Sequence, residues 1–201
     1  VGEDGPTHQP VEQLTNLRTT PGMATWRPCD GVETVAAWRA AIERTDGPTA
    51  LVFSRQGLPH QERSADQLRD IARGAYVLRR ESGDGLPDIV LIATGSEVGL
   101  AVEAAAALET EGVRTRVVSM PSASAFEAEP ARYIEDVLPS GARKRVAIEA
   151  AHPDYWRKWV GFEGAVVGLD RFGASAPGGV VMDELGFNVK NVTDTARGLL
   201  G

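Results

Sequence analysis

Beyond residue 86 the chain alternates continuous apolar runs with helical patterns, and this alternation restricts the possible fold more than any other feature. "DIVLIA" (88–93), "SEVGLAVEAAAALETEG" (96–112) and "VRTRVVSM" (113–120) read as strand, helix, strand. The rhythm continues through a helix near "PARYIEDVL", the strand "RVAIEA", a helix near "DYWRKWV", the strand "AVVGL" and two closing helices near "VVMDEL" and "VTDTARGLL". Apolar runs without polar alternation suit strands covered on both faces, and parallel strands need helical crossovers. The expected fold class is therefore α/β, a mainly parallel sheet with helices on both faces.

The preceding stretch repeats the logic on a smaller scale. Pro10 and Glu12 suit a first helical turn, Val11, Leu14 and Leu17 recur at helical spacing, and "TTPG" ends that helix. After the extended "MATWRP", Asp30 with Glu33 predicts a capping box opening "GVETVAAWRAAIER". Cys29, beside Pro28, is placed on the extended segment as a small buried hydrophobe. "TALVF" has the pattern of a buried parallel strand and delivers Ser54 and Arg55 at its carboxyl end, where open α/β sheets hold ligands. From Gln56 to Asp88 the chain is polar and broken by Gly and Pro, with one short helix and one strand, "AYVLRR"; it reads as an interdomain linker.

Bulk properties exclude several classes of partner. With 28 acidic and 21 basic residues the formal net charge is -7, which disfavours nucleic acid and anionic lipid. A single cysteine cannot form an internal disulfide, so the simplest expectation is a cytoplasmic protein. No apolar run approaches the roughly 20 residues of a membrane span, so no membrane partner is expected.

Candidate sites each have a plainer reading beside them. "GDG" at 83–85 suits a magnesium-bridged diphosphate only with an asparagine pair roughly 30 residues on, and "ETEGVRTR" has none. A solvent-facing turn is the better reading there. Gly95 and Ser96 open a helix after a strand and could bind an anion, although N-capping satisfies the same groups. His152 lacks companions at metal-ligand spacing and suits a loop or packing role. No metal site is expected. Trp26, Trp38, Trp156 and Trp159 read as core or interface anchors. The opening "VGEDGPTHQPVEQL" puts a carboxylate (Asp4), an imidazole (His8) and a glycine turn in one short loop. Such a loop could bond adjacent hydroxyls of a polyol or exchange protons with an alkoxide, or it could simply be a solvated loop before a helix. Arg55 could fork onto a phosphate or carboxylate, or form a structural ion pair.

Together these pieces resemble the transketolase family. "GEDGPTHQPVEQL" is similar to the family's signature segment, and "TWRPCD", "DGPTALVFSRQ", "IARGAYVL", "IATGSEV", "VRTRVVSMPS" and "FGASAP" follow in the family's order across essentially all 201 residues. The resemblance implies the end of a pyrimidine-binding domain (1–62), a linker (63–85) and a C-terminal domain (86–201). The first would be an incomplete α/β domain of the thiamine-diphosphate-binding type.

For function, the resemblance implies a homodimer that moves a two-carbon glycolaldehyde unit from a ketose phosphate to an aldose phosphate. Thiamine diphosphate with Mg2+ (or Ca2+) would supply the electron sink, its main ligands lying in an N-terminal part outside this chain. At matching positions Asp4 resembles the aspartate that reads the donor hydroxyl at C2. His8 resembles the histidine beside the donor oxygens near C1 and the reacting carbon, and Arg55 the arginine that grips the sugar phosphate. Asp4 and His8 are the implied catalytic pair; with Arg55 they form the substrate-binding set. Taken alone the chain is expected to be inactive, with sheet edge and apolar surface beside "TALVF" left unpaired. The competing expectation is a noncatalytic α/β module for dimer packing, or one binding a regulatory anion near Gly95 and Ser96.

Overall fold

The computed structural model describes residues 8–201, so Asp4 lies outside the described residues. Strand β4 (Ile89–Ala93) is buried along its whole length, as is β5 (Thr115–Ser119), and in β6 (Arg145–Ile148) only Arg145 reaches partly to solvent. They join β3 (Tyr76–Arg79) and β7 (Ala165–Val167) in a five-stranded sheet of order β3-β5-β4-β6-β7. All its pairs are parallel except β3 with β5.

Strand periodicity divides the apolar side chains between two layers. Ile89, Leu91 and Ala93 share one core cluster with Val98, Ala101, Ala104, Ala105 and Leu108 of α4 (Glu97–Thr110) and Val192 and Ala196 of α9 (Val189–Leu200). Val90 and Ile92 face the other way. Their cluster contains Phe126 of α5 (Ala123–Glu127), Val137 of α6 (Ala131–Val137), and Trp159 and Val160 of α7 (Arg157–Val160). Helices cover both faces of a mainly parallel sheet, which explains why these strands are apolar without alternation.

The upstream stretch contains α1 (Gln13–Thr19), β1 (Ala24–Trp26), α2 (Gly31–Glu43) and β2 (Thr49–Leu51). Strands β1 and β2 pair in parallel, Ala24 with Thr49 through Trp26 with Leu51. The strand expected from "TALVF" is present but short, and all three of its residues are half-buried rather than buried. Among the described residues β2 pairs with one strand only, so its second side has no sheet neighbour to exclude water. Nearby, Phe53 stacks on Trp38 with ring centroids 6.2 Å apart, and both remain about half exposed. Trp26, Trp156 and Trp159 are buried, so Trp38 alone of the four departs from an anchor's usual burial.

The stretch read as linker is built into the larger sheet. It carries the short helix α3 (Ala65–Asp70), opened by a complete Ser64/Gln67 capping box, and then β3, the antiparallel edge strand. The upstream elements share the larger core as well: Val11, Cys29 and Ile71 belong to the α4/α9 cluster, with Val32 and Ala36 of α2 packed against it. Cys29 is buried but follows β1 and precedes α2, so it does not lie on a strand. The last part of the chain closes through the short helix α8 (Gly178–Glu184) before α9, which Asn188 caps by accepting from Asn191 N.

Candidate functional site

In parallel α/β sheets the carboxyl ends of the strands are where ligands bind. Here each of the three central strands ends on a fully buried polar side chain: Thr94 after β4, Ser119 at the end of β5 and Glu149 after β6. All three bond to the upstream segment. Thr94 Oγ1 donates to Arg27 O at 3.0 Å, Ser119 Oγ donates to Glu33 Oε1 at 2.6 Å, and Glu149 takes both ends of the Arg18 guanidinium at 2.6 and 2.7 Å.

Two cations and two anions balance at this edge. Arg27 Nη1 donates to Glu97 Oε2 at 2.6 Å and to Thr94 O at 2.7 Å, and stands 3.4 Å from Glu149 Oε1. Trp156 Nε1 donates to Glu149 Oε2 at 2.7 Å, while the Arg18 guanidinium lies 5.0 Å from the Tyr155 ring centroid and 5.4 Å from that of Trp156. Burial pushes the Glu149 carboxyl up, but Arg18, then Arg27 and the indole N–H, outweigh it and hold the carboxyl below its ordinary range. A buried carboxylate so paired stays ionised, and its worth depends on every partner being present.

This arrangement consumes the anion site considered at Gly95 and Ser96. The Gly95 N–H donates to Arg27 O at 3.1 Å, and Ser96 Oγ donates to Glu97 Oε1 at 2.6 Å. Arg27 covers Gly95 closely, so that a Cβ there would come within 2.6 Å of Arg27 Cζ. With Glu97 at the first helical position, a free anion would face a carboxylate and find the nearest cation already paired.

A second buried cluster lies beneath α2. Asp30 caps the helix by accepting from Glu33 N at 3.0 Å, but the expected reciprocal half of the capping box is missing. Glu33 Oε2 reaches back one residue further, to Cys29 N at 2.7 Å, and its Oε1 accepts from Tyr76 and Ser119. Arg63 Nη1 donates to Asp30 Oδ2 at 2.6 Å. Burial pushes the Cys29 thiol up, and the neighbouring Glu33 and Asp30 carboxylates push it further.

His8 is exposed just before α1. The backbone behind it is anchored twice: Gln9 Nε2 donates to Ala174 O at 2.6 Å, and His152 N donates to Val11 O at 2.9 Å. His152 sits in a loop and caps a short 3-10 turn (Pro153–Trp156) by accepting from Asp154 N. Arg55 is exposed in a bend beyond the carboxyl end of β2. Gly83 and Gly85 form the solvent-facing turn, both at positive φ, with Asp84 O accepting from Arg114. Among the described residues no group of three or more His, Cys, Asp or Glu could hold a metal ion. The described residues do not fit a metal site.

Sequence reading missed Arg18, Arg27, Gln9 and Glu149. Glu149 had a signal, a carboxylate ending an apolar strand that is buried on both faces. The arginines had none, because their partners are distant in sequence.

Two family models match the chain, the transketolase pyrimidine-binding domain over residues 1–61 and the transketolase-like C-terminal domain over residues 74–188. The chain belongs to the transketolase family. It is 56% identical to transketolase 1 of Vibrio vulnificus over 200 residues, covering 100% of this chain and 30% of the relative. Among solved transketolases, that from Leishmania mexicana superposes with a TM-score of 0.91 at 43% identity, over 99% of this chain and 28% of its own. The Campylobacter jejuni transketolase gives 0.86 at 38% identity, over 96% and 29%. The chain thus spans less than a third of the length of the transketolases it matches. No helix among the described residues is long and apolar enough to cross a membrane.

Proposed function

We propose that this chain supplies substrate-binding groups to a transketolase, an enzyme that transfers a two-carbon glycolaldehyde unit from a ketose phosphate to an aldose phosphate. The observation that carries the reading is chain-long identity of 56% to a transketolase, beyond the two domain matches. In this reading His8 contacts the donor oxygens near C1 and the reacting carbon and exchanges a proton with an alkoxide oxygen there, Arg55 holds the sugar phosphate, and Asp4 reads the C2 hydroxyl. The exposure of His8 and Arg55, and the place of Arg55 beyond the carboxyl end of β2, support it. Thiamine diphosphate supplies the electron sink when bound, and a divalent ion, Mg2+ or Ca2+, accompanies it.

The proposed division is 1–62, 63–85 and 86–201, with the middle stretch lending β3 to the C-terminal sheet. The working enzyme is a cytoplasmic homodimer that includes a polypeptide equivalent to the rest of its relatives.

The test is two-carbon transfer by the chain alone, and by the chain joined to the remainder of a Vibrio transketolase. Turnover is expected only from the joined form, and should fall when His8 is replaced by Ala. Appreciable turnover by the chain alone, or a joined enzyme with cofactor bound but no transfer, would overturn the reading.

A further inference from the structure

Gln9 follows His8 directly, and its amide is committed to a residue distant in sequence. Its Nε2 donates to Ala174 O at 2.6 Å, in the loop that follows β7, 165 residues away. Gly173 makes room for it: a Cβ there would overlap Gln9 Oε1 and lie 2.6 Å from Gln9 Cδ. Two residues on, Val11 is buried in the core, its N–H donates to Gln13 Oε1 at 2.9 Å, and its carbonyl accepts from His152 N. The backbone leaving His8 is therefore tied to loops beyond both β6 and β7. The side chain of Gln9 ties the residue directly after His8.

We infer that Gln9 is a positioning residue: by bonding Ala174 O across Gly173 it fixes the backbone that presents His8, so the loop after β7 sets where the imidazole meets its substrate. This rests on the substrate-contacting role proposed for His8. The physical reason is that a misplacement of about 1 Å at a reacting group can cost as much as about 100-fold in rate, and one exposed backbone segment without such a tie samples several placements.

The test is a double-mutant cycle in the joined enzyme, reading kcat and KM for a ketose phosphate donor, with cofactor affinity and the thermal midpoint as controls. Gln9→Met keeps the length and removes the donor. It is expected to lower kcat/KM about tenfold, with cofactor affinity unchanged, and to cause no further fall in the His8→Ala background. A neutral Gln9→Met, or an equal loss in both backgrounds, would show that Gln9 does not act through His8 and would overturn the inference. If His8→Ala is itself silent, the proposed role of His8 fails first and the inference falls with it. Should Gln9→Met not fold, Gly173→Ala, whose Cβ displaces the Gln9 amide, enters the same cycle with the same reading.

Discussion

Arg18 and Glu149 meet in a bidentate pair, Nη1 to Oε2 at 2.6 Å and Nη2 to Oε1 at 2.7 Å, although 131 residues separate them. Both side chains are almost wholly withdrawn from water. The pair joins the helix behind the His8 segment to the end of a central strand, making α1 an extension of the larger sheet's carboxyl edge.

Replacing Glu149 by Ala leaves Arg18 buried without a counter-charge and removes one partner of Arg27. Removal of one member of a buried pair costs about 3–5 kcal/mol. Urea unfolding followed by tryptophan fluorescence should show a loss of that size, since Trp156 Nε1 bonds the same carboxylate. A loss under about 1 kcal/mol, the scale of exposed pairs, would mean that the pair is solvated.

Acid should loosen the same edge. Glu149 is held below its ordinary value of 4.5, and Asp30, although burial raises it, is held below 3.8 by Arg63 and backbone N–H groups. Groups lowered on folding stabilise fully above their unfolded values. That stability is lost as pH falls through about 4.5 and towards the lowered folded values, because the unfolded chain takes up protons first. The thermal midpoint should be flat from pH 7 to about 5 and decline below; Glu149→Gln should flatten that decline. An unchanged decline in the variant would assign it to other carboxylates.

Gly95 is at φ +56 with Arg27 packed against it. Gly95→Ala should destabilise by at least about 1–2 kcal/mol, from the left-handed conformation and the displaced guanidinium. In the unsubstituted chain, titration with inorganic phosphate should leave the Gly95 and Ser96 amide resonances unmoved. A saturable shift there would revive an anion-binding role.

Arg55→Ala in the joined enzyme should raise KM for phosphorylated donors about tenfold or more, the worth of a charged hydrogen bond. Donors without phosphate should be little affected. Equal effects on both would remove the phosphate role.

Cys29 is 3% exposed and its thiol is pushed up by burial and two carboxylates. A thiol reagent at pH 8 should fail to label the folded chain and should label it once in urea. Rapid labelling of the native state would mean that α2 opens from the core.

The β-α-β alternation after residue 86 was legible because strands buried on both faces admit only apolar residues, and "IVLIA" meets that condition at every position. "AYVLRR" was legible as a strand but not as part of the sheet, since an antiparallel edge pairing with β5 leaves no local mark. Glu33 was legible only as a cap, because a capping glutamate and a buried carboxylate serving Cys29, Tyr76 and Ser119 look alike in sequence. The candidates His8 and Arg55 were legible as residue types on a short loop and at a strand end. Their support was not, since Gln9 finds its partner beyond β7.

Local periodicity and the ordered family motifs were thus enough to determine most of the elements, the fold class and the family. Tertiary structure alone decided which charges share the buried edge, that Arg27 fills the place offered to an anion at Gly95, and that α1 is bolted to Glu149. The reason is physical. Backbone propensity and apolar spacing act over a few residues and are written locally, whereas a buried ion pair depends on partners that only the closed fold brings together and withdraws from water.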